Sequence, residues 1–190
     1  MNLRNEHCVS QRSARARRLR FRVAIPGFVR AKEGATAVEF AIVAAPFVAL
    51  IIAILEVGVV FFAQQVLQTA TNKAARLIMT GQAQNGNFTA AQFRQAVCNE
   101  ATALFTCSSI YVNVQTYSSF TNIVMANPVQ NGQFAPSGLN YNPGGPGDIV
   151  VAQTFYQWPV FIAPLAFNLA NINGNKLLLV GTAAFRNEPY

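Results

Sequence analysis

Histidine is nearly absent from this chain: the single copy is His7, and residues 35–190 contain none. Charge is almost as scarce there. Of fourteen basic and seven acidic residues, that part keeps five of each: Lys73, Arg76, Arg94, Lys176 and Arg186 against Glu39, Glu56, Glu100, Asp148 and Glu188. Glu100, Asp148 and Glu188 fall in separate segments, and nothing in their spacing pairs two carboxylates for acid–base chemistry. Gly-x-Ser-x-Gly, Walker and zinc signatures are missing as well. No enzyme and no cofactor are expected. A metal site would need His or more Cys than Cys98 and Cys107 supply, and Asp148, after Pro-Gly-Gly-Pro-Gly, suits a turn better than a calcium loop.

What the sequence has instead is one long apolar stretch. From Ala35 to Ala63 only Glu39 and Glu56 carry charge. As a helix these residues reach roughly 43 Å, more than the roughly 30 Å hydrocarbon core of a bilayer. The run exceeds the roughly 7–15 apolar residues of a signal peptide, and no convincing A-x-A site follows it. A membrane-spanning helix is expected. A carboxylate at mid-bilayer costs on the order of 3 kcal/mol. Glu56 follows Glu39 by about 25 Å of helix axis, so one acid can sit near each membrane face. Glu56 then reads either as an interfacial residue or, with Glu39 and Phe40, as part of a helix-packing surface. For Glu39 a cut after Gly34 would place a new amino group on Ala35 one turn away, where amine and helix N-terminus both favour the carboxylate. In an assembly the same acid could reach a neighbouring subunit's amine.

Gly34-x-x-x-x-Glu39, after a basic leader and before an apolar helix, resembles the processing site of type IV prepilin-like proteins. The fuller string Glu33-Gly34-Ala35-Thr36-Ala37-Val38-Glu39-Phe40-Ala41, with Glu56-Val57-Gly58 further on, is similar to the TadE-like pseudopilins of tight-adherence (Flp-type) pilus systems. Pro146-Gly147-Asp148-Ile149-Val150-Val151, Tyr156, Trp158-Pro159 and Ala183-Ala184-Phe185-Arg186-Asn187-Glu188-Pro189 look like the same family's C-terminal pattern. The resemblance implies cleavage after Gly34 by a prepilin peptidase. It also implies a minor pilin-like role in Flp pilus assembly, with other pilin-like subunits and the assembly machinery as partners. Ala35 is not the bulky first residue common in major pilins, which leaves N-terminal methylation open.

Residues 1–33 hold nine of the basic residues and two acids, and so the whole formal net charge of +7. A basic arm suits nucleic acid, but this one has no reading motif and only Phe21 and Phe28 as aromatics, so nucleic acid is not expected. Beside an apolar helix it fits the positive-inside rule. The expected location is the bacterial cytoplasmic membrane, crossed once, with the N-terminus cytoplasmic and the C-terminal part outside. Disulfides persist on the outer side, so Cys98 and Cys107, eight residues intervening, are expected to be bridged.

The expected fold class is α+β. Residues 1–34 read as a cleaved leader with no regular structure. Residues 35–81 read as one helix, membrane-spanning to about 63 and amphipathic beyond, where Val66, Leu67, Ala70, Ala74, Leu77 and Ile78 recur at helical spacing. Pro46 is expected to loosen it and Gly81 to stop it. Residues 82–190 read as an exported head. Thr89 caps a helix over 90–105 with Phe93, Val97, Ala101 and Leu104 on one face. Strands are expected at 109–117, 147–156 and 176–186, with a short edge piece at 120–126 and a long loop over 127–147. The apolar Val160–Leu169 reads as a buried lid or short helix, or alternatively as a partner-binding or membrane-proximal patch. A rival to the pilin-like reading is an uncleaved membrane-anchored module for binding or adhesion in the periplasm, with the same topology and fold.

Overall fold

The computed structural model describes residues 32–101, 103–161 and 169–190. The basic leader and most of Val160–Leu169 therefore lie outside the described residues. The chain divides into two compact units, Met1–Ala44 and Ala45–Tyr190. Within the described residues the fold is α+β, a long apolar helix followed by shorter helices and an antiparallel sheet.

Helix α1 runs Lys32–Met79 and stays helical through Pro46. It starts three residues ahead of Ala35, since Lys32 and Glu33 are themselves good helix formers. It ends as Gly81 turns left-handed at φ 77°, with its amide on the Ile78 carbonyl. That conformation suits glycine at a helix C-terminus. A single turn, α2 (Gln82–Asn85), follows, and then α3 (Ala90–Ala101). Thr89 and Gln92 cap α3 reciprocally: the Gln92 amide donates to Thr89 Oγ1 at 3.3 Å, and the Thr89 amide to Gln92 Oε1 at 2.8 Å.

α3 stops short of the expected residue 105. The Leu104 and Phe105 amides both fold back on the Ala101 carbonyl, and the chain turns so that Cys107 lies 5.4 Å from Cys98, Cα to Cα. A continued helix would have carried Cys107 about 13 Å along the axis, beyond disulfide reach.

Three strands, β1 (Ile110–Tyr117), β4 (Ile149–Pro159) and β5 (Lys176–Arg186), form an antiparallel sheet in the order β1-β4-β5. Ile110 pairs with Tyr156 on one side of β4, and Ile149 with Arg186 on the other. Within the expected loop, β2 (Val129–Gln130) and β3 (Gln133–Phe134) make a small hairpin across Asn131-Gly132. No strand forms at 120–126. Phe120–Asn122 is a 3-10 turn capped by Ser119, and the outer edge of β1 at Val114 is taken by Asn140 and Asn142.

The period-two pattern of the strands sorts their faces. Ile110, Val114, Val150, Ala152 and Leu179 face the helices and bury against Val60, Ala63, Leu67, Ala70, Ala74 and Ile78 of α1 and Phe93, Val97 and Cys98 of α3. On the other face Phe155, Ile172 and Leu178 pack with Tyr111, Val129 and Phe134. The alanines of α1 let helix and sheet come close. Closest is Gly181, where a Cβ would collide with Thr71 Oγ1 and stand 2.7 Å from Thr154 Oγ1.

Candidate assembly surface on the long helix

From Thr36 to Phe62 the side chains of α1 face outward almost throughout, Ala53 and Val60 being buried exceptions. Phe40 is 75% exposed, Val43 69% and Phe61 67%. Such a stretch is satisfied only by lipid or by other apolar helices. The helix is long and apolar enough to cross a membrane.

Gly34, Ala35, Glu39 and Phe40 all lie in the opening turns of α1. The Glu39 side chain is exposed and has no hydrogen bond or ion pair among the described residues. Gly34 and Gly58 each interrupt the helix at a cost of about 1 kcal/mol relative to alanine. At neither position would a Cβ meet any atom within 4 Å. Packing among the described residues does not require them.

Glu56 differs from Glu39. It is half-buried, and its Oε1 accepts the Phe161 backbone N–H at 2.6 Å. The residue just after β4 is thus fixed at the Glu56 level of α1.

Two further residues matter that the sequence marks only as polar. Gln64 Nε2 donates to the Val180 carbonyl at 2.8 Å. Gln68 Nε2 donates to the Thr182 carbonyl at 2.7 Å, and its Oε1 accepts the Thr182 amide at 3.0 Å. One turn further on, Thr71 Oγ1 donates to the Leu67 carbonyl at 2.7 Å and shares a buried hydrogen bond of 2.5 Å with Thr154 Oγ1. Spaced by four residues, Gln64 and Gln68 present one face to β5 and pair its open edge as a neighbouring strand would. Their four-residue spacing is the only sequence signal that could have found them.

The head is secured elsewhere by side chains with structural work. Cys98 and Cys107 form a disulfide. Asp148 Oδ2 accepts the Gly145 amide at 2.8 Å inside its turn. The Asn187 side chain donates to the carbonyls of Pro143 and Gly145, and the Glu188 amide to that of Met79, at 2.9–3.0 Å. Burial pushes the Tyr141 phenol up to about 12, and its oxygen is buried without a hydrogen-bond partner among the described residues.

These features define a class: a small α+β head moored to the C-terminal half of one long helix whose N-terminal half presents mostly exposed apolar side chains. The family model described as TadE-like protein matches residues 34–76, that is α1 from Gly34 to Arg76. This TadE-like segment points to a function connected with Tad/Flp pili. No curated protein and no solved structure matches the chain significantly.

Proposed function

We propose that the protein is a minor pilin-like component supporting assembly of Flp-type pili, held in the cytoplasmic membrane by α1 with its head outside, and processed by a prepilin peptidase between Gly34 and Ala35. The observation that carries this reading is the bare apolar half of α1 within a TadE-like segment. A head that has already covered the outer half of the helix leaves the inner half for lipid first and for neighbouring pilin-like helices afterwards. No catalytic role is part of the proposal.

Gly34 and Glu39 acquire roles in that setting. With α1 starting at Lys32, Glu39 lies about two turns from the helix N-terminus, where the dipole has faded. Cleavage would move the start to Ala35 and bring Glu39 to within about one turn of a new positive charge. The carboxylate then sets register, either within the subunit or against a neighbour's amine. Gly58, where an added Cβ would meet no described atom within 4 Å, gives a close approach for a second helix.

The deciding experiment is intact mass and N-terminal sequencing of the protein purified from its own membranes. A chain starting at Ala35 is the expected result. A chain that keeps residues 1–34 in cells with active peptidase would favour the uncleaved, membrane-anchored module and reduce Glu39 to a membrane-edge residue.

A further inference from the structure

We infer that the head makes a second membrane contact: Phe161, two residues past β4, enters the lipid interface beside α1. The inference rests on α1 spanning a bilayer and adds to it a fixed position of the head against the membrane. Phe161 is 76% exposed, yet its backbone is tied to Glu56, within the apolar run of α1. Gln64, which bonds the edge of β5, lies eight residues further along, about 12 Å of helix axis. If the first head-bound polar residues mark the water side, Phe161 stands about 12 Å below them, past a headgroup layer of roughly 5–8 Å and at the acyl boundary where amphipathic elements bury.

The surrounding chemistry agrees. Phe61 and Phe62 of α1 are exposed at the neighbouring level. No charged residue occurs between Asp148 and Lys176, so no ionised side chain in that part of the sequence resists desolvation. The backbone N–H of Phe161 would be costly to bury unpaired, and the Glu56 carboxylate satisfies it. The same bond gives the carboxylate a donor where water thins out. Lipid is the occupant because this patch is continuous with the apolar surface of α1, which needs lipid at the same depth.

The test uses full-length chains with one added cysteine, Phe161→Cys, Leu50→Cys or Phe120→Cys, in a Cys8→Ser background; Cys98 and Cys107 are bonded and do not react. Each is labelled with an environment-sensitive fluorophore and reconstituted at low protein-to-lipid ratio into phosphatidylcholine–phosphatidylglycerol vesicles. A lipid carrying a nitroxide near its headgroup should quench the probe at 161, one carrying it deep in the acyl chain should quench the probe at 50, and both should spare 120; aqueous iodide should quench only 120. A probe at 161 that follows 120 overturns the inference while quenching at 50 leaves the span intact. Failure at 50 overturns the span and the inference with it. Shielding of 161 from both quenchers would assign the patch to a second protein surface and equally overturn lipid contact.

Discussion

Replacing Gly181 by alanine tests how tightly α1 is moored to the sheet. The added methyl would overlap Thr71 Oγ1 and lie 2.7 Å from Thr154 Oγ1 and 3.1 Å from the Leu67 carbonyl. All three are backbone or fully buried core atoms with little room to swing aside. Overpacking of this kind costs about 1–3 kcal/mol. Driving Thr71 and Thr154 apart would also break a buried hydroxyl pair, and an unsatisfied buried hydroxyl costs about 1–3 kcal/mol. The expected loss is therefore about 2–6 kcal/mol. Thr71→Ala removes the colliding oxygen and costs about 1–3 kcal/mol alone, through the orphaned Thr154 hydroxyl. In the double variant the new methyl takes the place of the lost oxygen, so the combined cost should fall short of the sum by at least about 1 kcal/mol. Urea unfolding of the detergent-solubilised chain, followed by fluorescence of Trp158, the only tryptophan, reads all four proteins. A neutral Gly181→Ala, or strict additivity, would refute the close approach of helix and strand.

Other outcomes are expected. Glu39→Ala should leave cleavage after Gly34 largely intact, seen by N-terminal sequencing, while pilus assembly fails; normal pili in that variant would sink the register role. Cys98→Ser, or reduction, should destabilise the head by about 2–3 kcal/mol, the loop-closure value for so short a ring, measured by the same unfolding. Because the Tyr141 pKa lies above its unfolded value, the neutral phenol is the form that folds: its contribution is intact below about pH 10 and lost as pH rises towards about 12. Tyr141→Phe should flatten that alkaline decline without loss of stability at neutral pH, since the hydroxyl has no partner among the described residues. Glu100→Ala, which removes the exposed 2.6 Å pair with Lys73, should change stability by less than about 1 kcal/mol.

Much of this fold is legible in the sequence because its signals are local. The unbroken apolar run announces α1, and alternation at Ile110–Tyr117 and the apolar blocks at Ile149–Pro159 and Lys176–Arg186 announce the strands. Thr89 and Gln92 mark the start of α3 three residues apart. Where the reading departs from the structure, a distant partner decides. α3 ends at Ala101 because Cys107 must return to Cys98. Phe120–Asn122 makes a turn because the adjoining edge of β1 is engaged by Asn140 and Asn142. Gln64 reads as a membrane exit, since polarity in a linear scan means water; its bond to Val180 spans 116 positions that no window sees. The partner of Glu56 is likewise 105 residues away. Gly34 and Glu39 are the reverse case, visible as a motif yet with no side-chain contact among the described residues to explain them.

The glutamines on the edge of β5 also constrain the order in which the head can be made. Their bonds join positions 114 and 116 residues apart, the kind of closure that slows folding and leaves intermediates exposed. Until Lys176–Arg186 arrives, β4 has a bare flank and α1 carries two amides with no acceptor beside an apolar surface. A chain cut short before Lys176–Arg186 therefore keeps both glutamine amides without their strand carbonyls, on the face of α1 that the sheet would cover.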